Sequence, residues 1–296
     1  MSDEACDESP VPAASGALPN GLVLVSTPIG NLGDISMRAV AVLRAADLVL
    51  CEDTRTTARL LREYSITTKT AALHDHNEDS RIGLVLDLLR AGKVVALVSD
   101  AGTPLVSDPG YRLVRAALAE GLPVGGVPGA NAAVLALTLS GLPPQPFLFM
   151  GFLPPKGGAR RAVLARLAAA DIGATLIFYE APHRLAEALA DMADVLGARP
   201  AAVARELTKR FEEVRRDGLA ELAEYYTTVK PRGEITIVVA AAGENAAKPD
   251  DLDAKLGAAL AAHSLKQAVA QVTAATGLPR KQVYARALAL AGEKQV

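Results

Sequence analysis

Residues 97–110 read LVSDAGTPLVSDPG, and the fold follows from how this stretch is understood. The run Val94–Val98 is wholly apolar, the mark of a strand buried on both faces. It stops abruptly at Ser99 and Asp100, and two turn-forming groups follow, Gly102-Thr103-Pro104 and Asp108-Pro109-Gly110. A buried strand that opens into a polar, glycine-bearing loop is how open α/β sheets build ligand sites at their strand ends. Backbone N–H groups, small side chains and two carboxylates suit a polar small molecule held closely. An ordinary strand-to-helix turn needs one glycine and one cap, and the repeated Gly, Ser, Asp and Pro exceed that.

Working outward, the same junction recurs. Gly21–Ser26 predicts a strand running into residues 27–34, TPIGNLGD. The spacing is neither G-x-G-x-x-G nor G-x-x-x-x-G-K-[ST], so neither the dinucleotide fingerprint nor a Walker loop is present. Asp34 or Ser36 caps a helix over Met37–Ala45. Asp47–Cys51 predicts a second strand, ending in Glu52-Asp53-Thr54-Arg55. Arg55 there either serves a site or lies on the surface beside a cap at Asp53 or Thr54. Helices follow over Ser80–Arg90 and Tyr111–Glu120, then a strand over Pro123–Val127. Pro128-Gly129-Ala130-Asn131-Ala132-Ala133 opens a helix that runs to Ser140, the third strand–glycine–helix junction. Three such junctions favour one shared pocket. His74 and His76 stand at i,i+2 beside acids, which fits a polar loop near a cleft, a plain surface or a metal. Because the spacing is not H-E-x-x-H and no cysteine is near, no metal is assigned.

The expected organisation is a leader over residues 1–20, an α/β domain over 21–144, a second α/β domain over 145–242 and a helical segment over 250–296. The second domain is predicted from strands at Phe147–Phe152, Thr175–Tyr179, Ala201–Ala204 and Glu234–Ala240, with helices at Ala159–Ala170, Leu185–Leu196 and Leu219–Tyr226. Its strand ends carry Tyr179, Glu180, His183, Arg184, Arg205, Glu206 and Lys209. The last segment reads as a helical pair, Ser264–Thr276 and Arg280–Ala291, after a helix over 251–262. From His263 onward it holds five Lys or Arg and one Glu, a local charge near +4 that fits either a nucleic-acid contact or a packed helical cap.

Composition narrows the class. Half of the 296 residues are apolar but only 4% are aromatic, so Ala, Leu and Val must build the core. Two cysteines, Cys6 and Cys51, give no disulfide framework and suit a reducing cytosol. The formal charge of -2 and the pI of about 6.1 exclude a polycation and leave room for a local basic surface. The first residues are acidic, unlike a secretory signal, and no apolar stretch reaches the length of a membrane span.

Together the segments resemble the tetrapyrrole-methylase superfamily, and within it the branch that methylates small-subunit ribosomal RNA. The resemblance rests on residues 27–34, 52–55, 76–78, 99–104, 107–110, 128–129, 151–154, 179–184 and 205–209 in this order and spacing. The C-terminal helical pair also resembles an extra domain of that branch. The resemblance implies two unlike α/β domains with S-adenosyl-L-methionine between them, a homodimer, and transfer of a methyl group to a cytidine 2'-hydroxyl of 16S rRNA in the small ribosomal subunit. It assigns the cofactor to Pro28, Gly30, Ser99, Asp100, Ala101, Gly102, Thr103, Pro128, Ala130 and Ala133, and from the second domain to Tyr179, Gly233 and Thr236.

A ribose hydroxyl must shed its proton as it attacks, so a base is needed within hydrogen-bond reach. Asp100, Glu206, Lys209 and His183 are the candidates, and the pattern singles out none of them. Arg55, Arg184 and Arg205 read as clamps for phosphate or carboxylate, because guanidinium keeps its proton. Tyr179 fits a stacking platform for a base or a core position. Arg160, Arg161, Arg166, the Lys209-Arg210 and Arg215-Arg216 pairs and the C-terminal helices are expected to form a basic track for RNA. Competing readings are a small-tetrapyrrole methylase, a non-catalytic RNA-binding assembly factor and a metal-dependent hydrolase built on His74 and His76.

Overall fold

The computed structural model describes residues 20–74, 78–170, 172–243, 249–276 and 280–293. The predicted leader and the positions Asp75, His76 and Asn77 lie outside them. The chain divides into two compact units, residues 1–135 with 207–210, and residues 136–206 with 211–296.

The first unit is a parallel α/β sheet. Its strands are β1 (Leu22–Val25), β2 (Leu48–Cys51), β3 (Thr70–Ala72), β4 (Val95–Leu97) and β5 (Val124–Val127), in the order β3-β2-β4-β1-β5. Every pairing is parallel. The connecting helices are α1 (Met37–Ala45), α2 (Thr54–Glu63), α3 (Glu78–Arg90), α4 (Tyr111–Ala119) and, after β5, α5 (Ala132–Ser140). Alternation along the strands sends Val23, Val25, Val49, Cys51 and Ala96 to a layer shared with Ala39, Val42 and Leu43 of α1 and Leu61 of α2. Leu22, Leu50, Val95 and Leu97 face the opposite way, against Val85 and Leu89 of α3 and Leu113 and Ala117 of α4. Each fully buried Leu or Val here contributes about 1.5–3 kcal/mol of transfer free energy. Neighbouring strands β1 and β4 therefore send their following helices to opposite faces. That is the switch point of a doubly wound sheet, where a crevice opens beyond the strand ends.

The second unit has a mixed sheet: β6 (Phe147–Phe152), β7 (Thr175–Glu180), β8 (Pro200–Arg205), β9 (Glu213–Gly218) and β10 (Ile235–Val239), ordered β6-β7-β10-β8-β9. Only β6 and β7 run parallel. Helices α6 (Gly157–Ala170), α7 (Leu185–Leu196) and α8 (Leu219–Thr228) cover one face through Leu164, Leu189, Met192 and Leu222 against Leu176, Phe178, Val203 and Ile237. The last helices, α9 (Pro249–Ala262), α10 (Leu265–Thr276) and α11 (Arg280–Glu293), share a small core of Leu256, Val269, Val272 and Val283. The Arg286 guanidinium grips Asp253, with Nε 2.7 Å from Oδ1, and ties α11 to α9. No helix among the described residues is long and apolar enough to cross a membrane.

The expectation of two unlike α/β folds and a helical C-terminal part holds. Two strands were not anticipated. β3 is a three-residue edge strand of half-buried Thr and Ala, with too little apolar content to stand out. β9 reads EVRRDG, whose charges hide an edge strand paired on one side only.

The expected basic face of α6 is corrected. Arg160 is buried, with Nε 2.6 Å from Asp191 Oδ2, while Arg161 holds the other carboxylate oxygen at 2.6 Å. Truncating Asp191 leaves buried Arg160 with only the exposed Glu187 carboxylate at 3.7 Å and the Pro155 carbonyl. Asp191→Ala should therefore cost about 3–5 kcal/mol in chemical denaturation. Adding Arg160→Met to it should recover part of that loss; a double variant no more stable than the single one would contradict the pairing.

Candidate active site

The loop after β1 and the loop after β4 are sewn together by backbone. Thr27 N donates to Gly102 O at 2.8 Å and Gly102 N donates to Thr27 O at 3.1 Å. Beneath this bridge Thr27 Oγ1 donates to Ser99 O at 3.2 Å, and Ser99 Oγ donates to Gly102 O at 3.1 Å. The Thr103 hydroxyl carries the join to the loop after β5. It donates to Ala130 O at 3.1 Å and accepts from Ser26 Oγ and Asn131 Nδ2, each at 3.4 Å. Asn131 Oδ1 in turn accepts from Val134 N at 3.1 Å, capping the first turn of α5.

Two glycines permit the close approach. A Cβ at Gly129 would stand 2.8 Å from Ser26 Cβ, so the turn after β5 rests on the end of β1. A Cβ at Gly30 would stand 2.4 Å from Lys209 Cγ and 3.0 Å from Thr208 Oγ1. Lys209 thus belongs to the first unit, laid across the Gly30 loop. The chain reaches it through left-handed residues at Glu206 and Thr208, with φ of 51° and 66°, on either side of buried Leu207. Such conformations cost of order 1–2 kcal/mol each in a non-glycine residue, so the excursion is held by its surroundings.

Carboxylates dominate the charge at the ends of β2 and β4. Asp100 Oδ1 accepts from Asp53 N at 3.0 Å. Asp53 caps α2, accepting from Arg55 N at 2.8 Å, and the exposed Arg55 guanidinium closes back on it at 2.6 Å. This pairing holds the Asp53 carboxyl down at about 2. The cap is therefore Asp53, and Arg55 is already engaged with a carboxylate of its own helix. Asp108 shows the opposite effect. Burial, then the charges of Glu52 and Asp100, push its carboxyl up to about 6. The grouped carboxylates Glu52, Asp100 and Asp108 suit a cationic ligand better than a polyphosphate.

Pro28, Gly30, Ser99, Asp100, Ala101, Gly102, Thr103, Pro128, Ala130, Ala133 and Lys209 all lie in or beside these loops. Tyr179, Thr236, Gly233, Glu206 and His183 belong to the second unit. There Tyr179 stands directly opposite buried Thr236 across β7 and β10, its ring 4.9 Å from that of Phe149 and 5.6 Å from that of Phe152. Glu206 accepts from Glu234 N at 3.0 Å, and Gly233 is exposed in that turn. His183 is exposed in the short turn before α7.

Several expected clamps turn out to be structural. Arg184 Nε is 2.9 Å from buried Glu180, and its Nη2 donates to Leu153 O at 2.7 Å. Arg205 pairs with Glu213 at 3.1 Å. The Arg215 guanidinium lies 3.6 Å over the Tyr225 ring, and Arg216 donates to the terminal carbonyls of α5 at Leu139 and Ser140. The side chains of Arg280 and Lys281 lie outside the described ones. Sequence reasoning passed over Ser26 and Asn131 as polar partners in the loop network. Asn131 carried a signal, as an Asn immediately before a helix.

The raised Asp108 carboxyl has a signed consequence. Its folded value of about 6 lies above the usual 3.9, so the folded protein binds this proton more tightly than the unfolded chain. The associated stability is present below about pH 4 and is lost as pH rises through about 6. Asp108→Asn should stabilise the ligand-free protein by about 1 kcal/mol at pH 8, after allowance for solvent screening, and add little at pH 4. Urea unfolding at the two pH values checks this; an equal difference at both would contradict it.

Comparison with known proteins places this geometry in a family. Residues 21–223 match the family model of tetrapyrrole (corrin/porphyrin) methylases, and residues 246–291 match that of the RsmI C-terminal HTH domain. The chain is 51% identical over 267 residues to ribosomal RNA small subunit methyltransferase I of Micromonospora olivasterospora, covering 89% of this chain and 85% of that one. It is 48% identical over 271 residues to the protein of the same name from Mesorhizobium japonicum, covering 91% and 92%. The crystal structure of the methyltransferase CobJ has a similar fold, with a TM-score of 0.58 at 18% identity over 77% of this chain and 97% of that one. The chain belongs to the tetrapyrrole (corrin/porphyrin) methylase family and, within it, to the group of ribosomal RNA small subunit methyltransferase I.

Proposed function

We propose that this protein transfers a methyl group from S-adenosyl-L-methionine to the ribose 2'-hydroxyl of a cytidine in 16S rRNA of the small ribosomal subunit. The observation that carries the reading is the loop cradle beyond β1, β4 and β5, which joins close backbone approach to a negative potential. S-adenosylmethionine, when bound, supplies a methyl group on a cationic sulfur. The residues fit such a ligand. Pro28, Gly30, Ser99, Ala101, Gly102, Thr103, Pro128, Ala130 and Ala133 offer backbone and small side chains. Asp100 and Asp108 bring charge of the sign that a sulfonium and an amino group need. The family resemblance extends the cofactor set to Tyr179, Gly233 and Thr236. The helical C-terminal part, matching the family's HTH domain, supports an RNA substrate over a small tetrapyrrole.

The chain's own part is to align the ribose hydroxyl and to take its proton. Lys209 is our choice for the proton acceptor. Its stem lies across the Gly30 loop, beside the backbone assigned to the cofactor. A neutral amine is the active form, so log kcat should rise with pH until the amine is deprotonated. A homodimer completes the reading. Phe147 and Phe152, exposed on edge strand β6, support an apolar contact.

Labelled S-adenosylmethionine should transfer its methyl group to undermethylated small subunits or to free 16S rRNA, and nucleoside analysis should return 2'-O-methylcytidine. Absence of label in both, with cofactor binding intact, would overturn the RNA reading. Lys209→Met should lower kcat by about 10²–10⁴ with little change in cofactor affinity and should abolish the rising pH limb. Lys209→Arg should not restore it; an unchanged kcat in the Met variant would remove Lys209 from the chemistry. Sedimentation should give twice the 30.7 kDa chain mass, and a monomer at working concentration would exclude the dimer.

A further inference from the structure

The second unit holds a cavity of its own, about 280 Å³ in volume, between the strand ends of β8 and β9, the last turns of α8 and the connection from α8 to β10. Beside the carboxylates of Glu206 and Glu213, its walls carry three other kinds of group. The first is a buried hydroxyl. Tyr226 lines the cavity at 4% exposure, and its Oη has no hydrogen-bond partner. Buried polar groups are almost always partnered, so this hydroxyl has hydrogen-bonding capacity to offer a group that enters the cavity. Burial, and then the nearby Glu213 charge, push the phenol up to about 12, so it remains an O–H at neutral pH.

The second is an aromatic face. Phe211 is 64% exposed at the cavity. The third is positive charge. Arg205 is engaged by Glu213 at 3.1 Å, but Lys230 and Arg232 have no ion-pair partner among the described residues. A flat apolar surface, an interior hydrogen-bonding group and two available cations match the base, the polar edge and the phosphate of a nucleotide. The volume lies just below that of ligand pockets, which run from about 300 to 1,000 Å³, and so suits part or all of one nucleotide and not a macrocycle.

We infer that this cavity receives one unstacked nucleotide of the RNA substrate, other than the one methylated, with its base on Phe211, its phosphate on Lys230 and Arg232, and a base or sugar polar group on Tyr226 Oη. The inference rests on the RNA reading of the preceding section. None of Phe211, Tyr226 and Lys230 is assigned there to the cofactor or to the proton transfer, so their substitution separates the two ideas.

The test uses the full chain. Fluorescence anisotropy with a single-stranded 16S oligoribonucleotide measures RNA affinity, and methyl transfer to small subunits measures KM and kcat. Phe211→Ala should weaken binding about tenfold, and Tyr226→Phe, which removes one oxygen and keeps the ring, about fivefold. KM for RNA should rise to match, with kcat and cofactor affinity unchanged. Lys230→Ala should lower the slope of log affinity against log salt by about 0.7. Wild type that methylates RNA, with all three variants unchanged in affinity and KM, would overturn this inference and leave the function standing. Displacement of the oligonucleotide by inorganic phosphate as well as by ribonucleoside monophosphates would reduce the cavity to an anion site and also overturn it. Wild type that neither binds nor methylates RNA would overturn both.

Discussion

The pair of backbone hydrogen bonds between Thr27 and Gly102 is the constraint on which the rest of the site depends. In a parallel sheet, neighbouring strands end side by side and their loops are free to diverge. Here the loops after β1 and β4 are joined as if by one more rung of antiparallel sheet. The Thr103 hydroxyl then reaches a carbonyl of the loop after β5. Three loops from three adjacent strands become one surface. Their backbone groups answer one another, and the side chains beside them are small or acidic apart from Lys209.

That surface lies where topology asks for it. β1 and β4 are neighbours whose helices pack on opposite faces, which opens the crevice beyond their carboxyl ends. Glycine-fingerprint folds fill such a crevice with a helix N-terminus aimed at phosphates. This chain presents Glu52, Asp100 and Asp108 instead, at the cost of a carboxyl raised to about 6. These carboxylates favour a cationic ligand over a dinucleotide. The second unit shows the complementary economy. Most of its arginines are spent inside the fold, on Asp191, Glu180, Glu213 and the end of α5, and only a few cations remain for a polyanionic partner.

Much of this was legible in the sequence where the signal is local. The apolar run before Ser99 read as a buried strand, and of the two caps the sequence offered, Asp34 and Ser36, it is Ser36 that accepts from Ala39 N. The glycine-bearing loops stood out at all three junctions, and the structure brings them together. The misses share a physical cause. β3 and β9 are edge strands, held on one side and half-exposed, so their residues need not alternate in hydrophobicity. Arg160 and Arg216 looked like part of a basic track because their partners, 30 or more residues away, are fixed by tertiary packing. The attachment of residues 207–210 to the first unit is likewise a long-range fact, invisible in any window around Lys209.

The central claim is that the three joined loops of the first unit hold the cofactor. Hydrogen–deuterium exchange of the full chain, with and without S-adenosylmethionine, tests it most directly. Added protection should concentrate in residues 26–31, 99–104 and 128–133, where the loops would be covered and stiffened. Cofactor binding that leaves those three segments unprotected, or that protects only the helices after residue 249, would contradict the account.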